Sequence, residues 1–172
     1  MLKNKTNIIL STFKIFALKL KYRSKIKIGK RFKAKGSYIC ITNKKGKIKI
    51  GSSFKAMKNS IIHSDGGLIE IGHNVFINSN SIVVSRKSIK IGDNVSIGPN
   101  VCIYDHNHAD ERVDEIAEIK IGKGSWIGAG SIILKGVEIG DNVIIGAGSI
   151  ITKNIPDDSI VVQKRVSEFT SK

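Results

Sequence analysis

The residues best suited to acid–base chemistry in this 172-residue chain are histidines, and two of the four stand together in Tyr104-Asp105-His106-Asn107-His108. An imidazole, whose ordinary pKa lies near neutrality, suits a general base that takes a proton from an attacking hydroxyl. On a strand, residues two apart project to one face. The same pair could therefore share a zinc ion, provided Asp105 or His63 supplied further ligands. A plain polar turn is the third reading. His73 follows Ile71-Gly72 and is expected at a solvent-facing corner, and His63, beside Asp65-Gly66-Gly67, in a structural or exposed turn. Cys40 and Cys102 lack CxxC or zinc-like spacing and are expected to be reduced thiols packed as small apolar residues.

The elements that position these residues announce themselves through a period of six. Ile-Gly occurs nine times, and Ile121, Ile127, Ile133, Ile139, Ile145 and Ile151 follow one another at six-residue steps. Ile91, Ile97 and Ile103 do the same, as do Ile71, Ile77 and Val83. Neither a helix, with apolar spacings of 3 and 4, nor a strand, alternating by 2, has this period. One inward aliphatic every six residues, followed by a small residue, suits a chain that turns a corner after each short strand. Three such strands close a triangular coil, and stacked coils bury the aliphatic column. The pairs Ile26/Ile28, Ile48/Ile50, Ile69/Ile71, Ile89/Ile91, Ile119/Ile121 and Val137/Ile139 mark about six coil starts. The fold expected is all-β, a single-stranded left-handed parallel β-helix over residues 23–162, with a C-terminal tail at 163–172. Val83 to Ile91 is two residues longer than the repeat, and Ile103 to Ile121 is twelve longer. The second surplus predicts a long loop at about 106–117, where a rigid scaffold usually carries its function.

Charge divides the chain. Residues 1–64 hold 18 Lys or Arg and no Asp or Glu, whereas residues 65–172 carry a net charge of −3. The basic half draws phosphate, whether on lipid, nucleic acid or a ligand. Residues 1–22 lack the repeat; Ile8, Ile9, Phe13, Phe16 and Leu20 fall near helical spacing among lysines. This segment reads as a helical cap on the open end of the coil stack, as a basic amphipathic helix on an anionic membrane, or as both. No apolar run reaches the roughly 18 residues that cross a bilayer, and Lys14 and Lys19 interrupt any signal-peptide core. The expected location is cytoplasmic, with peripheral contact at the inner face of the membrane. Aromatic residues are few and not interleaved with the lysines, so nucleic acid is not an expected partner.

Three segments carry a resemblance. Ile91-Gly92-Asp93-Asn94-Val95-Ser96-Ile97-Gly98-Pro99-Asn100 leading to Asp105-His106-Asn107-His108, then Ser125 to Gly130, then Ile139 to Pro156, resemble the galactoside, maltose and nodulation acetyltransferases of the hexapeptide-repeat family. The Asp-His-Asn-His variant is similar to the subgroup that O-acetylates bacterial surface polysaccharides. The resemblance implies a homotrimer with sites between subunits, acetyl-CoA as donor, direct transfer to a sugar or glycan hydroxyl, and no metal. It places the catalytic base on His108, with His106 as neighbour or alternate, and an oxyanion-stabilising amide on Asn78. Ala129, Gly130 and Ala147 match positions along the pantetheine arm, where a side chain would block approach. Thr152 and Lys153 match the nucleotide end. Trp126 matches a cleft residue, and Asp105 is expected in the same substrate cleft. The family's closing Gly-x-Pro-Ala-like turn is missing from Val161 to Val166, where Lys164 and Arg165 could still meet phosphates. The N-terminal segment also departs, so nothing about the acceptor carries over. Two other functions fit the same scaffold: a zinc-dependent enzyme of the carbonic anhydrase type, and a non-catalytic binding module.

Overall fold

The structure is a computed structural model that describes residues 13–34, 36–110 and 113–163, with side chains except at 108–110 and 113–114. The chain winds into a three-sided parallel β-solenoid of about six turns. Among the described residues its faces hold six, seven and six strands. The third coil is representative, with Leu68–Ile71 on the first face, Phe76–Ile77 on the second and Ile82–Ser85 on the third.

The isoleucine pairs mark the coil starts as the spacing predicts. Ile26 stands over Ile48, Ile48 over Ile69, Ile69 over Ile89, Ile89 over Ile119, and Ile121 over Ile139. Ile48, Ile69, Ile89 and Ile119 are wholly buried, as are Ile62, Val83, Ile103 and Ile133 on the third face. Removing each such side chain from water contributes about 1.5–3 kcal/mol. Asn74, Asn94 and Asn142 adopt φ of 55–58° at stacked corners, a left-handed conformation that asparagine tolerates better than most residues.

The surplus residues are not scattered. Register partners lie 22 apart at Ile26/Ile48, 20 apart at Ile69/Ile89 and 30 apart at Ile89/Ile119, and every excess falls between the third and first faces. The two-residue surplus after Val83 forms no loop. It lengthens the strands to Ile82–Ser85 and Ser88–Ile91 around a tight Arg86-Lys87 corner. The longer one folds as an antiparallel hairpin, His106–Asp110 with Val113–Ile116, where the spacing predicted only a loop.

Residues 13–22 are helical and close the open N-terminal end, burying Leu18 and Tyr22 against the first coil. The Lys14 ammonium donates to the carbonyls of Ala34 and Ser37, and this burial lowers its pKa. At the other end the Gln163 side-chain amide pairs with both backbone groups of Ile150, at 2.8 and 2.7 Å, and so blunts an exposed strand edge.

Two glycines flanking Ala129 should respond unequally to alanine. A Cβ on Gly128 would lie 2.5 Å from the Ile145 carbonyl oxygen and 2.6 Å from the Ala147 nitrogen, so it would wedge two coils apart. One on Gly130 meets nothing within 4 Å and carries only the strain of a φ of +67°. Denaturant unfolding should show Gly128→Ala losing about 3 kcal/mol or more, against about 1–2 kcal/mol for Gly130→Ala.

Candidate active site

The corner between the third and first faces gathers the polar chemistry. On successive coils it carries Thr42, then Asp65, then Arg86, then Asp105 at the foot of the hairpin. The Thr42 hydroxyl lies 2.9 Å from His63 Nε2 and donates to Asp65 Oδ1 at 3.0 Å, and Arg86 Nε donates to Asp65 Oδ2 at 3.1 Å. The Thr42 hydroxyl first, and then Arg86, hold the Asp65 carboxyl below the ordinary carboxylate range. A depressed carboxylate contributes stability at neutral pH that is lost as pH falls through its folded value. His63 stands on the strand Ile61–Ser64 rather than in a turn, with Thr42 as a defined partner.

Asp105 departs from expectation. Rather than lining a substrate cleft, it is fully buried. One oxygen accepts from the Lys87 and Ser88 N–H groups, each at 2.8 Å, and from the Ser85 hydroxyl at 2.7 Å. The other accepts from the Arg86 N–H at 2.8 Å and lies 3.1 Å from His106 Nδ1. A carboxylate so enclosed is tolerated because several donors replace its lost water. It ties the tight corner of the third coil to the foot of the hairpin. Nothing local in Asp-His-Asn-His signals this, because its donors lie 17 to 20 residues earlier. The extra length at Arg86-Lys87 is the only trace in the sequence.

His106 is thereby fixed. Its side chain is 9% exposed, bonded to Asp105 and edge-on to Tyr104 with ring centroids 6.0 Å apart. His108 stands two residues further out, opposite Asp114 in the hairpin register. The hairpin is braced from outside by Lys135–Glu115 at 2.8 Å, and its end by Lys90–Glu118 at 2.7 Å.

The remaining predicted residues fall into two groups. Thr152 and Lys153 are exposed on the histidine corner, two coils beyond. Asn78, Ala129, Gly130 and Ala147 share the corner between the second and third faces. Asn78 Oδ1 accepts from the Ser79 N–H at 2.8 Å. Gly130 has open space where its side chain would be, so its left-handed φ, rather than crowding within the chain, is what requires glycine. Trp126 stands 55% exposed on the second face, between Ser96 and Ile144. The two groups are separated by the breadth of the third face, on the order of 15–20 Å for six residues of strand. One chain does not bring them together. Lys164 and Arg165 lie outside the described residues. A groove runs along the first face, lined by Lys49, Glu70, Lys90 and Lys120. Among the described residues no group of three or more His, Cys, Asp or Glu could hold a metal ion.

Residues 118–153 match the family model described as bacterial transferase hexapeptide (six repeats), and residues 69–105 match hexapeptide repeat of succinyl-transferase. The chain is 39% identical over 82 residues to nodulation protein L of Rhizobium meliloti (strain 1021), covering 44% of this chain and 45% of that protein. It therefore spans less than half the length of this curated relative. It is also similar to the crystal structure of a maltose O-acetyltransferase from Clostridium difficile 630, with a TM-score of 0.52 and 30% identity over 86% of this chain and 73% of that one. A hexapeptide-repeat containing acetyltransferase from Vibrio cholerae O1 biovar eltor, complexed with acetyl coenzyme A, matches with a TM-score of 0.52 and 28% identity over 63% of this chain and 64% of that one.

Replacing Asp105 with Asn turns a donor amide toward the same N–H groups. It should lower unfolding free energy by about 2–4 kcal/mol. Ser85→Ala, which removes a single donor, should lose about 1 kcal/mol, with both variants measured by urea titration.

Proposed function

The chain belongs to the hexapeptide-repeat transferases, and from that premise we propose that it is an acetyl-CoA-dependent O-acetyltransferase acting on a hydroxyl of a sugar or surface glycan. The observation that carries the proposal is the histidine hairpin, rooted on a buried Asp105 where an otherwise regular coil stack is interrupted. The acetyltransferases among the similar proteins point the same way, as does the acetyl coenzyme A bound in the Vibrio cholerae structure.

In this reading His108 is the general base. His106 is nearly enclosed and held by Asp105, so it acts as a positioning residue at the root of the hairpin. The acceptor oxygen attacks the thioester carbonyl carbon while His108 takes its proton. The carbon–sulfur bond then breaks, and the imidazolium returns the proton to the departing thiolate. The products are an acetyl ester and free CoA. Asn78 would stabilise the tetrahedral oxyanion. The exposed small residues Ala129, Gly130 and Ala147 leave a smooth corner for the pantetheine arm, and Lys153 offers a cation to a phosphate.

A homotrimer would supply what one chain separates. The first face is a ladder of charge, with Lys49–Glu70 at 2.6 Å and Lys120–Glu138 at 3.5 Å, and suits water. The other two faces point apolar side chains outward: Trp126, Ile144 and Ile160 on the second, Tyr38 and Ile150 on the third. Such faces suit burial against further copies, which would set Asn78 of one chain near the hairpin of another.

Thiol release from acetyl-CoA, measured across a panel of sugars and lipid-linked glycans, tests the reaction. His108→Ala should lower turnover about 10²–10⁴-fold with CoA binding intact. Turnover unchanged in His108→Ala but lost in His106→Ala would transfer the base to His106. Stoichiometric zinc in the active protein would overturn the metal-free scheme. Ile150→Asp should convert trimers to monomers in sedimentation and remove turnover with them.

A further inference from the structure

The helix at 13–22 is apolar on two opposite sides, and among the described residues only one of them is covered. Lys14, Ile15, Leu18 and Tyr22 turn toward the first coil, with Leu18 and Tyr22 buried. At 100° per residue, Phe13, Phe16, Ala17 and Leu20 form a stripe on the far side. Phe13 is 72% exposed, Phe16 64% and Leu20 70%. Lys19 borders this stripe on one side and Lys21 on the other, and both are exposed.

We propose that this stripe docks the protein on an anionic lipid bilayer. Three large apolar side chains between lysines match the cross-section of an interfacial helix: rings enter the acyl boundary while ammonium groups stay at the headgroups. Charge selects the occupant. Arg23, Lys25, Lys27, Lys30 and Arg31 continue the cationic rim, and no Asp or Glu occurs before Asp65. A protein partner would have to match an acid-free rim of this kind, whereas an anionic leaflet does so by composition.

The helix lies across the end of the solenoid, so docking stands the coil stack away from the lipid. The His106 hairpin follows the fourth coil, roughly 25 Å above the surface by helix diameter and strand spacing. That height suits an acceptor hydroxyl on a glycan projecting from a lipid anchor. This consequence rests on the acetyl-transfer reading; the docking itself does not.

The experiment is co-sedimentation of the full chain with phosphatidylcholine vesicles, with and without phosphatidylglycerol, in the absence of any donor. Binding should require phosphatidylglycerol and weaken as salt rises. The triple variant F13S/F16S/L20S should lose binding about tenfold or more at unchanged circular dichroism and oligomeric state, and K19E/K21E should lose it as well. Equal binding by wild type and both variants would overturn the proposal. So would a change of oligomeric state in the triple variant, which would show that protein covers the stripe, or RNA binding that persists without the stripe. Vesicle binding with no acetyl transfer would leave docking standing and remove the enzymatic reading alone.

Discussion

Close stacking of one coil on the next is the constraint from which the rest of the molecule follows. Parallel strands must approach to about 4.8 Å to exchange backbone hydrogen bonds, and at the corners this leaves no room for side chains that point along the stack. A Cβ on Gly51 would lie 2.5 Å from the backbone of Gly72, and one on Gly92 2.6 Å from that of Lys123. The Ile-Gly dipeptide is the local expression of this geometry. Isoleucine fills the interior, and glycine lets the next coil close down upon it. The same stacking makes the fold tolerant of surplus chain at one corner, provided that strands above and below keep their register.

That tolerance explains where function can be built. Between Ile89 and Ile119 the register is restored after a detour that forms its own hairpin. A detour of this length needs an anchor, and Asp105 provides one by accepting the corner N–H groups of the preceding coil. The buried carboxylate thus links two levels. It stabilises the Arg86-Lys87 corner and fixes the imidazole of His106, so that the outer part of the hairpin, with His108, projects from a rigid base. The acceptor chemistry proposed for this corner depends on that rigidity more than on any property of the loop itself.

Much of the architecture was legible in the residues, because a six-residue period is determined locally and repeats often enough to fix its own phase. Ile26/Ile48 and Ile89/Ile119 pair as the isoleucine spacing indicates. The site was legible only as residue types. The role of Asp105 depends on donors a whole coil away. The hairpin depends on pairing between His106 and Ile116 that no alternation in Asp-Glu-Arg-Val-Asp-Glu announces. The separation of Asn78 from the histidines depends on which corner each occupies, which follows only once the strands have been assigned to faces.

Asn78 and the histidine hairpin stand on different corners, so the composite site proposed above needs copies of the chain to complete one another. Subunit complementation tests this directly. His108→Ala and Asn78→Ala proteins, each expected to lose most activity alone, are unfolded together, refolded as mixed trimers and assayed for acetyl transfer. If each site draws its base from one chain and its amide from another, random mixing restores activity to about a quarter of the wild-type sites. Absence of any recovery in correctly assembled mixed trimers would show that a single chain holds both groups, and would contradict the composite site.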